Sequence, residues 1–82
     1  MNSSAIAQRH RIVEALLLRG SRGLTTIEAR EELDCMYVSA RILELRQMGW
    51  HIPTVWTTSE NAQGNKLRNA RYVLITRARE SE

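Results

Sequence analysis

A chain of 82 residues makes one domain at most, and a hydrophobic fraction of 43% supplies a single core and excludes wholesale disorder. The lone Cys35 excludes an intrachain disulfide, no apolar run approaches the roughly 18 residues of a membrane span, and no charged-then-apolar leader opens the chain, so a reduced, soluble, cytoplasmic protein is expected. The formal charge of +3, carried almost wholly by arginine, is too mild to name a polyanion partner by itself.

Ser3 and Ser4 are N-cap residues for a first helix running to about Arg19. Ile6, Val13, Leu16 and Leu17 recur at helical spacing as its inner stripe, with Gln8, Arg9, Arg11 and Glu14 mostly on the other side. Gly20 suits the position just past a helix, where the chain turns to positive φ. Gly20-Ser21-Arg22-Gly23 is therefore a loop, and Leu24 beyond it packs inward. Thr25-Thr26-Ile27-Glu28 spells a capping box, in which the Thr25 hydroxyl accepts from the Glu28 amide and the Glu28 carboxylate accepts from the Thr25 amide. A short second helix follows from Thr26 to about Leu33, with Ile27, Ala29 or Arg30, and Leu33 on its inner edge. Glu28, Glu31, Glu32 and Asp34 make its surroundings acidic.

Asp34-Cys35 breaks the pattern, and a third helix is expected from about Met36 to Met48, closed by Gly49. Helical steps put Val38, Ile42 and Leu45 on an inner stripe with Leu43 at its margin. Tyr37, Ala40, Arg41, Glu44 and Gln47 fall opposite. After Gly49 the period changes. Trp50 to Thr58 is rich in β-branched and aromatic residues, and Pro53 implies an edge or a bulge. Ser59 to Lys66 is polar with Gly64-Asn65 as a turn signal, and Ala70 to Ile75 returns as a second strand, giving a hairpin with a long tip. The domain then covers residues 1–76, and residues 77–82 are expected as a flexible tail.

Two short helices across a tight break, the second with a polar outer face, are what a helix-turn-helix requires. A hairpin directly after them is a wing. The expected fold is α+β: winged helix-turn-helix, three helices followed by a two-stranded β-hairpin wing. A B-DNA major groove roughly 12 Å wide accepts one helix, and a basic hairpin beside it reaches neighbouring phosphates. The basic residues favour this arrangement, because Arg41, Arg46, Lys66, Arg68, Arg71, Arg77 and Arg79 dominate the second half.

Three runs, Arg22-Gly23-Leu24-Thr25-Thr26-Ile27-Glu28-Ala29, Ser39-Ala40-Arg41-Ile42-Leu43-Glu44-Leu45-Arg46 with Gly49, and Ala70-Arg71-Tyr72-Val73-Leu74, carry a resemblance to known proteins. From about Ala5 to Leu74 the chain resembles the small winged helix-turn-helix proteins of bacteriophages and prophages. That resemblance implies DNA binding as a transcriptional regulator or an excisionase-like accessory factor, and it carries no target sequence.

On this reading Tyr37, Ala40, Arg41, Glu44 and Gln47 face the bases. Arg41 leads the set, because a guanidinium can bond guanine O6 and N7 together. Arg9, Arg11, Lys66, Arg68 and Arg71 are the phosphate candidates. The plain alternatives are an unliganded surface pair of Arg41 with Glu44 and an ordinary solvated loop around Lys66 and Arg68. Arg46, nearer the inner stripe, suits pairing with an acid of the second helix. Trp50 and Trp56 suit the core or hairpin packing better than base stacking, since the chain has no phenylalanine. Cys35 at a helix start could have a depressed thiol pKa. No second cysteine completes a redox site, so a small structural residue is expected. No His, Cys and Asp spacing builds a metal site, and no glycine-rich phosphate loop or nucleophile elbow occurs. Neither a cofactor nor catalysis is expected.

Two functions follow. The first takes double-stranded DNA as partner and pairs the chain as a homodimer, because one module buries only roughly 600–1,000 Å² on DNA. The second is a protein-binding winged helix that inhibits or recruits a host or defence complex, for example as an anti-CRISPR protein. Mild charge, an acidic second helix and two tryptophans leave room for it.

Overall fold

The computed structural model describes residues 4–60 and 62–75; Ser3, Asn61 and the tail expected at 77–82 lie outside the described residues. Helix α1 spans Ala5–Arg19. Ser4 caps it, its hydroxyl accepting from the Ala7 amide at 3.2 Å. The Gly20 amide donates to the Leu16 carbonyl as the helix ends. The inward stripe differs from the expected one. Gln8, Ile12 and Leu16 are buried, whereas Ile6 and Leu17 are exposed. Two stripes lie roughly 120° apart on this helix at about 100° per residue. Periodicity finds both, but only the positions of the other helices decide which meets the core.

A single 3-10 turn, Gly20–Arg22, leads to strand β1, Leu24–Thr25, and helix α2, Thr26–Leu33. The capping box forms as its sequence requires. Thr25 Oγ1 accepts from the Glu28 amide at 3.1 Å, and Glu28 Oε1 accepts from the Thr25 amide at 3.0 Å. Asp34 ends α2 at φ 56°, a left-handed conformation that a short polar side chain tolerates. Helix α3 then covers Val38–Gln47. It starts two residues later than expected, because Tyr37 at φ −114° and ψ 65° is a non-helical N-cap.

Strands β2, Thr54–Glu60, and β3, Lys66–Tyr72, pair antiparallel from Thr54 opposite Tyr72 to Glu60 opposite Lys66. Strand β1 joins the free edge of β3, placing Leu24 opposite Tyr72, so the sheet has three strands in the order β1-β3-β2 rather than two. A two-residue strand is too short for alternation to show it. Gly23 makes the approach feasible. At φ 69° a side-chain Cβ here would collide with the Tyr72 carbonyl oxygen and lie 2.9 Å from Val73 Cγ2.

The regular ladder of the hairpin also sits nearer its tip than expected. Pro53 has no amide hydrogen, so the regular ladder begins after it. Its carbonyl still accepts from the Val73 amide, and the His51 carbonyl accepts from the Ile75 amide. At the other end, Ser59–Glu60 and Lys66–Asn69 are strand rather than tip. A wing projecting into solvent has no face that must be apolar, so polar residues extend it.

The core joins Ile12 and Leu16 of α1, Leu24, Ala29 of α2, Val38, Ile42 and Leu45 of α3, and Ile52, Tyr72 and Leu74 from the sheet side. Trp50 and Trp56 are both outside it, so of the two places expected for them, core or hairpin packing, the core is ruled out. Aliphatic side chains and Tyr72 fill the interior instead.

Candidate nucleic-acid interface

Helix α3 turns Val38, Ile42 and Leu45 inward. Helical steps then put Ala40, Leu43 and Gln47 along the opposite, outward line, with the exposed Met36 in the turn just before the helix. Leu43, expected at the margin of the inner stripe, is 55% exposed. This outward strip carries no charge. Tyr37 and Gln47 stand exposed near its two ends, with Ala40 half-buried between them.

Arg41 and Glu44 do not join that strip. They lie on the flank of α3 turned toward α1, where Glu44 Oε1 accepts from Arg9 Nη1 at 2.8 Å and Oε2 accepts from Arg41 Nη2 at 2.9 Å. The Arg41 side chain is only 16% exposed, and its Nε is buried without a hydrogen-bond partner. The geometric reason is that Arg41 sits nearer in angle to the core stripe than to its opposite. Residues from both candidate sets are thus drawn into one ion cluster that joins α1 to α3.

The remaining phosphate candidates divide. Arg11 Nε donates to the Leu33 carbonyl at 2.8 Å, which closes the end of α2. Arg71 Nη1 donates to the Arg22 carbonyl at 2.6 Å, bracing β3 against the turn before β1. Lys66 and Arg68 are exposed on the wing. The Arg68 guanidinium lies 4.3 Å from the Trp56 ring centroid, a cation–π stack across the hairpin.

Arg46 serves the scaffold, with a partner other than the expected acid. Its Nε donates to the Ile52 carbonyl and its Nη2 to Thr54 Oγ1, both at 2.8 Å, tying the end of α3 to the start of β2. The acids of α2 are met from α1 instead. Arg19 reaches Glu28 Oε1 at 2.7 Å and Glu32 Oε1 at 2.5 Å. No local period signals a pairing that spans a loop, so this one was not legible in the sequence.

Between the wing and the turn joining α2 to α3 lies an open groove of about 760 Å³ whose lining includes Ile27, Arg30, Met36, Tyr37, Trp56 and Arg68. It is lined by two arginines and no acid. Residues so far apart in the chain meet here only through the sheet.

Among the described residues, two titratable groups are shifted. The Thr25 amide, donating to the Glu28 carboxylate, holds that group below its ordinary value; Arg19 acts in the same direction and burial opposes both. Burial pushes the Cys35 thiol up, so the cysteine at the start of the turn is a protonated core residue whose Sγ donates to Gln8 Oε1 at 3.6 Å. Among the described residues no group of three His, Cys, Asp or Glu side chains gathers as a metal site, and no helix is long and apolar enough to cross a membrane.

A sequence model of the winged helix-turn-helix domain family matches residues 7–77. No curated protein and no solved structure matches the chain significantly. The matched stretch runs from α1 through the whole of β3. With its helix pair across a tight turn and a hairpin directly after, the chain belongs to the winged helix-turn-helix domain family.

Proposed function

We propose that the chain binds double-stranded DNA, with α3 in the major groove and the wing on the phosphate backbone, as a phage- or prophage-type transcriptional regulator or excisionase-like accessory factor. The observation that carries this reading is the uncharged outward strip of α3, set beside cations that form no ion pair with a described acid. Arg30 of α2 and Lys66 and Arg68 of the wing form no ion pair among the described residues. A neutral strip can approach base edges closely. Gln47 suits adenine N6 and N7, Leu43 suits a thymine methyl, and Ala40 leaves room for both. Tyr37 can bond a base or a phosphate at the helix start. No side chain caps α3, so a phosphate can accept from its first amides.

Arg41 and Glu44 reach bases on this reading only by exchanging their mutual pair for DNA. Arg9, Arg11 and Arg71 add to the attraction of the backbone from their anchored positions, and Lys66 and Arg68 make the direct phosphate contacts. A homodimer on two half-sites compensates for the small footprint of one module. Titrating duplex binding against salt tests the reading. Affinity should fall steeply as salt rises, and selection from random duplexes should return a motif. Absence of duplex binding at low salt would sink it.

The groove beside the wing favours a second reading. Its apolar lining suits a docked protein segment, as in a winged helix that inhibits or recruits a host or defence complex. Retention of one stoichiometric protein partner after nuclease treatment, with no duplex binding, would favour this reading over the first.

A further inference from the structure

We infer that two copies of the chain pair through the solvent face of α1, packed antiparallel about a two-fold axis; the inference rests on the homodimer part of the reading above and names its surface. The observation is the second apolar stripe of α1. Ile6 is 67% exposed and Leu17 55% exposed, with His10 exposed and Val13 half-buried between them. These four residues are spaced by four, three and four positions, the seam of a coiled coil. The core stripe of the same helix, Gln8, Ile12 and Leu16, has a different spacing and is already covered. Met48 and Trp50 widen the exposed stripe, and with Ile6, His10 and Val13 they line a groove of about 440 Å³.

A second copy fits this face because the stripe is complementary to itself when reversed. With the two-fold midway between His10 and Val13, Ile6 meets the partner's Leu17, and Leu17 meets the partner's Ile6. His10 meets the partner's Val13 and lies beside the partner's Glu14, so imidazole and carboxylate pair twice across the axis. Large apolar groups close both ends of the seam, and the two central layers that hold His10 set the register. Duplex DNA is poorly suited to the same face. Arg9 at its edge is committed to Glu44, and Glu14 adds a negative charge.

Sedimentation equilibrium of the full chain without DNA tests the pairing, so its outcome is independent of duplex binding. A reversible dimer is expected, and Leu17→Glu or Ile6→Glu should weaken it roughly tenfold or more by placing a charge in an apolar layer. Both positions are solvent-exposed within one copy, and an unchanged circular dichroism spectrum will show that the variants fold. His10→Glu and Glu14→Arg should each weaken pairing, and the double variant should associate more tightly than either. A wild-type chain that stays monomeric up to about 1 mM overturns the inference. So does a dimer indifferent to Leu17→Glu and Ile6→Glu, or a double variant no tighter than its singles.

Discussion

Arg9 Nη1 lies 2.8 Å from Glu44 Oε1, which makes α1 and α3 electrostatic partners across 35 positions of sequence. The same carboxylate accepts from Arg41, so a single acid holds two guanidiniums on the flank of the helix. Without that cluster α3 would offer a free cation and a free acid outward. With it, both charges are tied down on the flank beside the neutral strip, and the cations without an ion pair among the described residues include Arg30, Lys66 and Arg68.

Replacing Glu44 by glutamine should therefore act first on stability. The exchange weakens two charge-assisted bonds and leaves the largely buried Arg41 guanidinium without its counter-charge, an expected loss of about 1 kcal/mol. Urea unfolding at neutral pH measures it. Wild-type stability combined with altered base preference would instead make Glu44 a reader of DNA.

Gly23→Ala should be more damaging than its size suggests. The alanine would have to adopt φ 69° and clear the Tyr72 carbonyl, into which its Cβ would point. Strain of this kind costs about 1–3 kcal/mol before the displacement of β1 is counted. A drop in unfolding free energy below about 1 kcal/mol would mean that β1 detaches from β3 at little cost.

Glu28 gives the fold an acid-sensitive step. Its carboxyl titrates lower in the folded chain than in the unfolded chain, so its stabilisation is present at neutral pH and is lost as pH falls below about 4.5 and through the folded value. Glu28→Gln should flatten the decline of stability across that window. Thr25→Ala, which removes the reciprocal bond, should cost about 1 kcal/mol at pH 7. Unfolding curves collected from acid to neutral pH check both. An unchanged slope in Glu28→Gln would assign the acid sensitivity to other carboxylates.

If the wing lies on phosphates, Lys66→Ala and Arg68→Ala should each reduce the slope of log affinity against log salt by about 0.9. Arg68→Ala also frees the Trp56 ring, and cation–π contacts at exposed sites are worth about 0.5–1 kcal/mol, so its melting temperature should be followed in parallel. Arg71→Ala should mainly lower stability, because its Nη1 braces the Arg22 carbonyl. Equal slopes for wild type and both wing variants would remove the wing from the interface.

The local grammar of the chain was legible in its sequence, because each such feature is completed within a few residues. The Ser4 cap, the reciprocal Thr25 and Glu28 bonds, the inward Val38, Ile42 and Leu45, and the order of three helices before a hairpin all depend on contacts a turn or so apart. What tertiary structure decided is which of two competing local possibilities was taken up. It chose Ile12 and Gln8 over Ile6 and Leu17 as the inner side of α1, because α2 and α3 approach there. It recruited Leu24-Thr25 as a third strand and left both tryptophans outside the core. It also bound Arg41, Glu44 and Arg9 to one another, since angle along a helix is local while the charge that arrives beside it is not. The place of α3 and its neutral outward strip follow from pattern alone; the pairing of Glu44 with both Arg9 and Arg41 follows from the packing of α1 against it.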